Sequence, residues 1–597
     1  MALADEELLG KAYDARLMRR LLGYLRPYTA HVVTAFFAIV AGSALQLVQP
    51  YLIKLAIDRY IAAGDLSGLN RMALGFLAIL LGSFACEYVQ TFAMQLTGQR
   101  IMFDLRMQIY RHLQRLDIQF YDRNPVGRLM TRVTTDVDVL NDLFTSGVIT
   151  VFGDVFTLAG IMIVMLSLNW RLALVAFAVL PLIVLVTQWF RRNVRESYRT
   201  VRTWIAKINA YLQENIGGMA TVQLFRREQR NFRRFDEINQ GHRDANLDSI
   251  FYYAVFYPAI EAIGALAAAL IIWYGGSRVL AGALTLGALV AFIQYSQRFF
   301  RPISDLSEKF NLLQASMASS ERIFTLLDTG VVIRNPEAPV ARASPARGHI
   351  AFDHVSFGYG TDDKVLHDIS FEVAPGERVG IVGATGAGKS TIINLLMRFY
   401  DVSTGAIRID GVDVREMALD DLRALFSLVL QDVQLFAGTI GDNVRLGNRA
   451  ITDLDIRRAV EAVHADRFID RLPGGLASPV AERGATLSVG QKQLLSFARA
   501  LAFNPRILVL DEATSSVDTE TELLIRDALK VLMAGRTTIA IAHRLSTIQD
   551  MDKILVLHKG ELREAGTHQQ LLAQRGIYYR LYQLQYKDQE ARTAATA

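Results

Sequence analysis

Cysteine is almost absent from this chain of 597 residues, in which Cys86 stands alone. A single thiol permits neither an intrachain disulfide nor a cysteine cluster for zinc. Charged residues are also few, at 21% against 51% hydrophobic, which excludes disorder, a collagen-like repeat and a small disulfide scaffold. With a mean hydropathy of +0.23, the chain is too apolar for a cytosolic enzyme of this size.

Long apolar runs are confined to the first half of the chain and are missing after about residue 330. Each approaches or exceeds the roughly 20 residues that cross a bilayer. They cover 31–57, 72–98, 143–168, 171–190, 250–275 and 283–300. After the Pro/Ala/Arg-rich stretch 335–348, short β-branched strands alternate with polar helices. The sequence therefore predicts six membrane spans, a linker and a soluble α/β domain.

Basic residues concentrate in two long connections, between the second and third runs and between the fourth and fifth. Positive-inside bias places both connections and both termini in the cytoplasm, so we expect a multi-pass protein of the cytoplasmic (inner) membrane. The same bias accounts for the net charge of +5, and we expect no nucleic-acid partner. The acidic N-terminus fits neither a signal peptide nor a transit peptide. Residues 1–28 are predicted to hold an amphipathic interfacial helix, with a solvated helix as the alternative.

A phosphate-binding loop is predicted between an apolar strand, Val379–Val382, and a helix that begins at Thr391. The pattern is a glycine, four residues and then Gly-Lys-Ser. It comprises Gly383, Ala384, Thr385, Gly386, Ala387, Gly388, Lys389, Ser390 and Thr391. Its glycines let backbone N–H groups turn toward phosphate oxygens, and the helix N-terminus adds a positive dipole end. Lys389 would reach the β- and γ-phosphates, and Ser390 would bind magnesium.

Two acids, Asp511 and Glu512, end the apolar strand 507–510. Adjacent carboxylates repel each other unless a cation or a proton offsets the repulsion. Asp511 suits the metal and Glu512 suits polarisation of an attacking water, whereas the alternative is a solvated strand end. Together with the phosphate loop, the pair predicts an ATPase or a GTPase.

The segments LSVGQKQLLSFARAL (487–501) and ILVLDEATSSVD (507–518) resemble the signature helix, Walker B strand and D-loop of the ATP-binding cassette of ABC transporters. The resemblance implies ATP and Mg2+ as cofactors. It implies that Tyr359 stacks on adenine, that Gln431 contacts the metal, and that His543 senses the γ-phosphate. It assigns catalysis to Glu512, His543, Lys389 and Gln431. Further nucleotide contacts would come from Ser488, Val489, Gly490, Gln491 and Asp518.

The membrane half carries its own resemblance. The segments FYDRNPVGRLMTRVTTDVDVL (120–140) and LQENIGGMATVQLFRRE (212–228) resemble the two cytoplasmic loops of half-size ABC exporters, where short coupling helices dock on the cassettes. The implied fold is a type I ABC exporter-like membrane domain of six helical spans followed by an α/β P-loop cassette. Within the family, the resemblance is to the MdlB-like half of heterodimeric multidrug exporters. The predicted segments are 1–28 for the N-terminal helix, 29–328 for the transmembrane domain, 329–348 for the linker, 349–585 for the cassette and 586–597 for the tail.

One residue departs from the family's LSGGQ signature, because Val489 replaces the first glycine. Valine tolerates a positive φ poorly, so φ at this position is predicted to be negative. Neutral drift is one explanation. The other is a pair of unequal ATP sites, with this chain supplying Lys389, Asp511, Glu512 and His543 to the competent one. The second explanation favours a heterodimer with another half-transporter, although a homodimer stays open.

The predicted function is ATP-driven export of amphipathic small molecules, with a lipid flippase or peptide exporter as the alternative. Membrane lipid and a small amphipathic substrate are the other expected partners. Glu87, Asp154 and Glu261 fall within predicted spans, where ionisable groups are costly. Such groups usually face a cavity or a partner, and for Glu261 the alternatives are a ligand role and a structural hydrogen bond.

Overall fold

The computed structural model describes residues 14–341, 345–360, 364–511, 519–541 and 548–584. The side chains of 148, 149, 300–308, 310, 311, 519 and 520 lie outside this description. The chain divides into two compact units. The first comprises Met1–Gln114 with Val126–Thr329, and the second comprises Arg115–Pro125 with Gly330–Ala597. Most of the predicted first cytoplasmic loop thus stays in the first unit, while a short piece of it belongs with the second.

The described part of the first unit is entirely helical. Its helices are α1 (Ala15–Gly23), α2 (Thr29–Leu55), α3 (Leu66–Leu113), α5 (Val126–Val133), α6 (Thr135–Asp142), α7 (Val148–Phe177), α8 (Leu180–Gly217), α9 (Met219–Leu224), α10 (Glu228–Leu280) and α11 (Leu286–Asp328). A 3₁₀ turn, Arg26–Tyr28, precedes α2, and π-helical segments, Ala56–Ile61 and Leu143–Gly147, follow α2 and α6. Several of these helices extend far beyond the roughly 20 residues that a bilayer requires.

Four helical stretches among the described residues are long and apolar enough to cross a membrane: Arg26–Ile61, Leu66–Leu113, Val126–Phe177 and Glu228–Leu280. The fourth apolar run of the sequence, 171–190, is divided instead of forming one helix. Helix α7 ends at Phe177 and α8 begins at Leu180, with Pro181 in the first turn of α8, where a missing N–H costs least. The sixth run lies at the start of α11, and six spans stay a prediction.

The apolar core of the first unit joins α7, α10 and α11. Ile161, Ile271, Phe292 and Tyr295 are each at most 1% exposed there. A second contact between distant segments is polar. The carboxylate of Asp136 on α6 is 5% exposed and accepts hydrogen bonds from Arg132, Arg322 and Ser319. Burial of a carboxylate is tolerated when cations and hydroxyls satisfy both oxygens, so this cluster ties α6 to α11.

The second unit combines α4 (Ile118–Arg123) with strands and helices from the second half of the chain. The strands are β1 (Ile350–Gly358), β2 (Lys364–Val373), β3 (Arg378–Val382), β4 (Thr404–Ile409), β5 (Val412–Asp413), β6 (Phe426–Val429), β7 (Gly438–Thr439), β8 (Pro479–Val480), β9 (Ile507–Asp511), β10 (Thr537–Ile541), β11 (Lys553–His558) and β12 (Glu561–Gly566). The helices are α12 (Lys389–Leu396), α13 (Leu419–Arg423), α14 (Ile440–Arg445), α15 (Asp453–Ala462), α16 (Asp466–Ile469), α17 (Val489–Ala502), α18 (Thr519–Met533) and α19 (His568–Gln574), and 577–584 are also helical.

Over the described ranges, the strands form a six-stranded sheet in the order β12-β11-β3-β10-β9-β6, a four-stranded antiparallel sheet β2-β1-β4-β5, and the pair β7-β8. In the larger sheet β11, β3, β10, β9 and β6 are mutually parallel, and β12 is antiparallel to β11. The carboxyl ends of the five parallel strands therefore lie along one edge. In open α/β sheets this edge is where ligands bind.

The larger sheet separates two apolar cores because successive side chains of a strand point to opposite faces. Along β9, Leu508 and Leu510 pack into the core shared with the helices α14 to α18, whereas Ile507 and Val509 pack into the core shared with α12 and the antiparallel sheet. These residues are all at most 2% exposed. Burial on both faces explains the continuous apolar runs of these strands in the sequence.

Candidate nucleotide-binding site

The predicted phosphate-binding loop joins the end of β3 to α12, which begins at Lys389, two residues before the predicted start at Thr391. Gly388 is the N-cap of α12 and has φ +98°, a left-handed conformation that favours glycine. Gly383 is required for a different reason: a Cβ there would lie 2.3 Å from the carbonyl oxygen of Leu557 on the adjacent strand β11. These two glycines let the backbone turn tightly at the ligand-binding edge of the sheet.

The lysine of the loop is buried beneath it. The Lys389 ammonium donates hydrogen bonds to the carbonyl oxygens of Gly383, at 2.8 Å, and Ala384, at 3.1 Å. Ala387 and Thr391 are also buried, whereas Ala384, Thr385, Gly386 and Ser390 are exposed at the mouth of the loop. The arrangement leaves the loop residues and Ser390 accessible and holds a cation buried among them. An anion such as a nucleotide phosphate fits this combination.

Tyr359, which directly follows β1, lies beside this loop. Its hydroxyl is 3.1 Å from Oγ1 of Thr391, at hydrogen-bond distance. Its ring makes edge-to-face contacts with Phe357, at 5.0 Å between centroids, and Tyr400, at 5.1 Å. The side chain is 38% exposed, so one part of the ring stays accessible. The structure thus brings the residue predicted to stack on adenine to the first turn of α12.

The short helix α4 contacts the same tyrosine. Arg123 donates a hydrogen bond to the carbonyl oxygen of Tyr359 at 3.2 Å, and the hydroxyl of Tyr400 donates one to the carboxylate of Asp122. Burial raises the pKa of Tyr400, and the neighbouring carboxylate of Asp122 raises it further. At the N-terminus of α4, the Asp117 carboxylate accepts from the backbone N–H groups of Val332, at 2.7 Å, and Ile333, at 3.1 Å.

Sequence reasoning did not single out Asp122, Arg123 or Tyr400 individually. Asp122 and Arg123 lie in the segment 120–140 that carries the exporter resemblance, and this was the available signal. Tyr400 follows α12 with no motif around it. Its role depends on a partner 278 residues away in the chain.

The other predicted nucleotide residues follow neighbouring strands. Asp511 is the last residue of β9 and is half-buried, and Gln431 is exposed two residues beyond the end of β6. Both therefore stand at the same edge of the sheet as the phosphate loop. Glu512, Asp518 and His543 lie outside the described residues, and their predicted roles stay predictions.

The predicted magnesium ligands fit that ion chemically. The Ser390 hydroxyl, the Asp511 carboxylate and the Gln431 amide all offer oxygen, which Mg2+ prefers, and their strands end at one edge. Few protein ligands are needed, because magnesium usually keeps several waters and binds substrate phosphates. The part of the chain that the structure describes holds no cluster of three or more His, Cys, Asp or Glu side chains suited to a metal.

The signature segment forms the N-terminus of α17. Ser488 is the N-cap, and its Oγ accepts from the backbone N–H of Gln491 at 3.2 Å while Oε1 of Gln491 accepts from the backbone N–H of Ser488 at 2.9 Å. Val489 lies in the first helical turn with a negative φ, which confirms the backbone prediction. Its side chain is 57% exposed and Gly490 is buried. The replacement of glycine by valine is thus accommodated without backbone strain.

The ionisable residues of the predicted spans differ in their surroundings. Asp154 on α7 forms an ion pair with Lys309 on α11, and both side chains are about one-fifth exposed. Glu87 and Glu261 are exposed on the surface of the protomer. For Asp154 the structural partner is therefore identified.

Comparison with known proteins agrees with this geometry. A family model described as the ABC transporter transmembrane region matches residues 32–303, and one described as ABC transporter matches residues 366–515. The chain is 40% identical over 514 residues to the probable multidrug resistance ABC transporter ATP-binding/permease protein YheH of Bacillus subtilis (strain 168), covering 85% of this chain and 75% of that protein. It is 36% identical over 574 residues to an ATP-dependent lipid A-core flippase of Syntrophus aciditrophicus (strain SB), covering 96% and 95%.

Among solved structures, that of a bacterial Atm1-family ABC exporter with ATP bound is similar, with a TM-score of 0.75 and 31% identity, covering 94% of this chain and 98% of that one. The resemblance inferred from the motifs is thereby confirmed, together with the type I exporter fold and the ATP-hydrolysing cassette. The chain belongs to the ABC transporter family, as an exporter in which a transmembrane region is fused to an ATP-binding cassette.

Proposed function

We propose that this chain is one half of a dimeric exporter that moves amphipathic small molecules across the cytoplasmic membrane by alternating access. The observation that carries the proposal is the position of α4. This helix belongs by sequence to a loop of the membrane half, yet it lies in the same compact unit as the cassette and contacts Tyr359 and Tyr400. Such a contact supports transmission of nucleotide binding to the membrane helices.

The proposed roles at the ATP site follow from position and chemistry. Lys389 and the N-terminus of α12 bind the phosphates, and Tyr359 stacks on adenine. Glu512 orients the attacking water, and His543 senses the γ-phosphate. Mg2+ would neutralise charge on the phosphate oxygens, and Ser390, Gln431 and Asp511 are the residues that would hold it. Fixed charges and dipoles that need no rearrangement during the reaction supply much of such catalysis.

A second half-transporter is part of the proposal. The first turn of α17, in which Ser488 and Val489 are exposed and Gly490 is buried, would face the phosphates held by the partner's loop. Ser488 already uses an oxygen lone pair within its own capping box, but its hydroxyl hydrogen stays available to an anion. We favour a heterodimer with unequal ATP sites because of Val489, and a homodimer is the alternative. Both termini and the cassette would lie in the cytoplasm.

The cargo class is proposed from the relatives and the composition of the membrane half. One relative is named as a probable multidrug resistance transporter and another as a lipid A-core flippase. Multidrug-type export is our first choice. Lipid flipping is the second, supported by the extent of the flippase match, and peptide export stays an alternative on the same scaffold.

The test is transport by the full chain, purified with any half-transporter that accompanies it, in inside-out proteoliposomes. We expect ATP-dependent uptake of amphipathic dyes and stimulation of ATP hydrolysis by them. Glu512→Gln should bind ATP and lose uptake, whereas Glu461→Gln, the same change on the exposed face of α15, should keep it. Uptake by Glu512→Gln at the parental rate would contradict the assignment. If the chain purified alone hydrolyses ATP at a dye-stimulated rate, the functional assembly is a homodimer and the heterodimer proposal is wrong.

A further inference from the structure

A proline interrupts the hydrogen bonding of α2 in its second half. Pro50 lacks an N–H, so the carbonyl oxygen of Gln46, four residues earlier, loses its helical donor. Arg298 on α11 supplies the replacement: its Nη1 donates to that oxygen at 2.7 Å, and its Nη2 donates to Oε1 of Gln49 at 2.8 Å. One turn earlier on α11, the hydroxyl of Tyr295 donates to the carbonyl oxygen of Leu47 at 2.5 Å.

These contacts satisfy hydrogen-bonding groups of α2, but none of them supplies a counter-charge to Arg298 from the side chains that the structure describes. Both of its acceptors are neutral, and none of the described residues places a carboxylate within 4.0 Å of it. Lys309, farther along the same helix, provides the contrast, because Asp154 neutralises it. The guanidinium has five N–H donors and uses two here, and the side chain is half-buried and not sealed off.

The depth of this site makes the missing counter-charge costly. Gln46 and Gln49 lie near the middle of the stretch Arg26–Ile61, one of those long and apolar enough to cross a membrane. An ionised side chain at such a depth is rare and usually marks a pathway or a ligand site. Guanidinium groups bind carboxylates and phosphates in a forked geometry that a single N–H donor cannot provide.

We propose that Arg298, held against the Pro50 interruption of α2, binds the head group of an anionic amphiphile, with a carboxylate or phosphate accepting from its remaining N–H donors. The proposal rests on the export function above and narrows its cargo. Gln46, Gln49 and Tyr295 are positioning residues that fix the guanidinium. Exposed apolar side chains next to the interruption, Val48 and Tyr51, are available to the tail.

The experiment measures binding of two probes with the same dodecyl tail, dodecyl phosphate and dodecyltrimethylammonium, to the full chain and its partner in phosphatidylcholine nanodiscs. Arg298→Gln should weaken the affinity for dodecyl phosphate roughly 10-fold or more and leave the cationic probe within about twofold. Arg298→Lys keeps the charge but loses the forked pair of donors, so its affinity for dodecyl phosphate should lie between those of the parent and Arg298→Gln. Arg171→Gln, the same charge change at an exposed arginine, is the control.

Equal affinity of parent and Arg298→Gln for dodecyl phosphate would overturn the proposal, as would an equal loss for both probes, which would indicate a structural role alone. If Arg298→Gln does not assemble, Arg298→Lys decides: a loss confined to the phosphate probe supports the site, and no loss overturns it. Competition by phosphatidylglycerol in the nanodiscs would identify bilayer lipid as the source of the head group, and its absence would identify cargo.

The outcome is separable from the proposed function. If the cationic probe is transported and Arg298→Gln does not change the affinity for dodecyl phosphate, the export proposal stands and the head-group site is wrong. If neither probe stimulates ATP hydrolysis or is transported, the export proposal itself is wrong for this cargo class.

Discussion

The hydroxyl of Tyr400 donates a hydrogen bond to the carboxylate of Asp122, which connects α4 to the aromatic pair beside the nucleotide loop. Tyr400 is 5% exposed, so its hydroxyl has little access to water as a substitute. The Tyr400 ring in turn packs edge-on against Tyr359. A movement of α4 would therefore be transmitted through Tyr400 to Tyr359, the residue proposed to stack on adenine.

Replacing Tyr400 with phenylalanine should separate the hydrogen bond to Asp122 from the ring packing against Tyr359. The ring packing is retained, but a hydrogen bond to a carboxylate, worth about 1 to 3 kcal/mol, is lost. We expect stimulation of ATP hydrolysis by an amphipathic substrate to fall several-fold, while the unstimulated rate changes little. Tyr578→Phe is the matched control, because Tyr578 is also buried and hydrogen-bonded, to His568 at 2.7 Å. Equal loss of stimulation in both variants would remove the special role of the Asp122 contact.

The Gly383→Ala variant tests the close approach of the phosphate loop to β11. A Cβ at Gly383 would lie 2.3 Å from a backbone oxygen, which cannot move without shifting the strand. We expect ATP affinity to fall roughly 10-fold or more, equivalent to about 1.4 kcal/mol, as measured by equilibrium nucleotide binding. Gly330→Ala serves as control, since its Cβ meets open space. Unchanged affinity in Gly383→Ala would show that the loop adapts to the extra carbon.

The buried cluster around Asp136 predicts that replacing Asp136 destabilises the protein much more than replacing the neighbouring Asp138. Asp136→Ala leaves Arg322 and Arg132 without their shared partner, and breaking a buried ion pair costs about 3 to 5 kcal/mol. A clear drop in the thermal midpoint of the full-length protein in detergent is expected. Asp138→Ala, two residues away, removes an exposed pair with Arg106 and should change the midpoint little. Similar midpoints for the two variants would argue that the cluster adds no stability.

Acid should lower the free energy of unfolding of the second unit, because it protonates Asp552, which pairs with Arg378. Hydrogen bonds from the Arg378 side chain hold the pKa of Asp552 below its ordinary value, despite an opposing effect of burial. Because the folded-state pKa is lowered, the stabilisation is complete above the unfolded-state value near pH 4 and is lost as the pH falls through the folded-state pKa. Unfolding of parent and Asp552→Asn should therefore differ at pH 7 and converge in acid. The pair is partly exposed, so the difference is at most about 1 kcal/mol. A difference that persists at pH 3 would contradict this account.

Local spacing allowed much of the cassette to be predicted. The strand, loop and helix around Lys389 follow from neighbouring residues, as does the negative φ of Val489. The apolar runs also located the long helices of the membrane half. The exception is the run 171–190, in which α7 ends at Phe177 and α8 begins at Leu180, just before Pro181.

The sequence by itself determined the family, the nucleotide loop and the membrane character, because each depends on residue types at short and regular spacing. Only the tertiary structure decided which distant side chains meet. Asp122 reaches Tyr400 across 278 residues, and Arg298 reaches Gln46 across 252. Such contacts depend on how whole helices pack, and no local periodicity encodes them. That the described neighbours of Arg298 on α2 are neutral acceptors became visible only from the packing of α11 against α2.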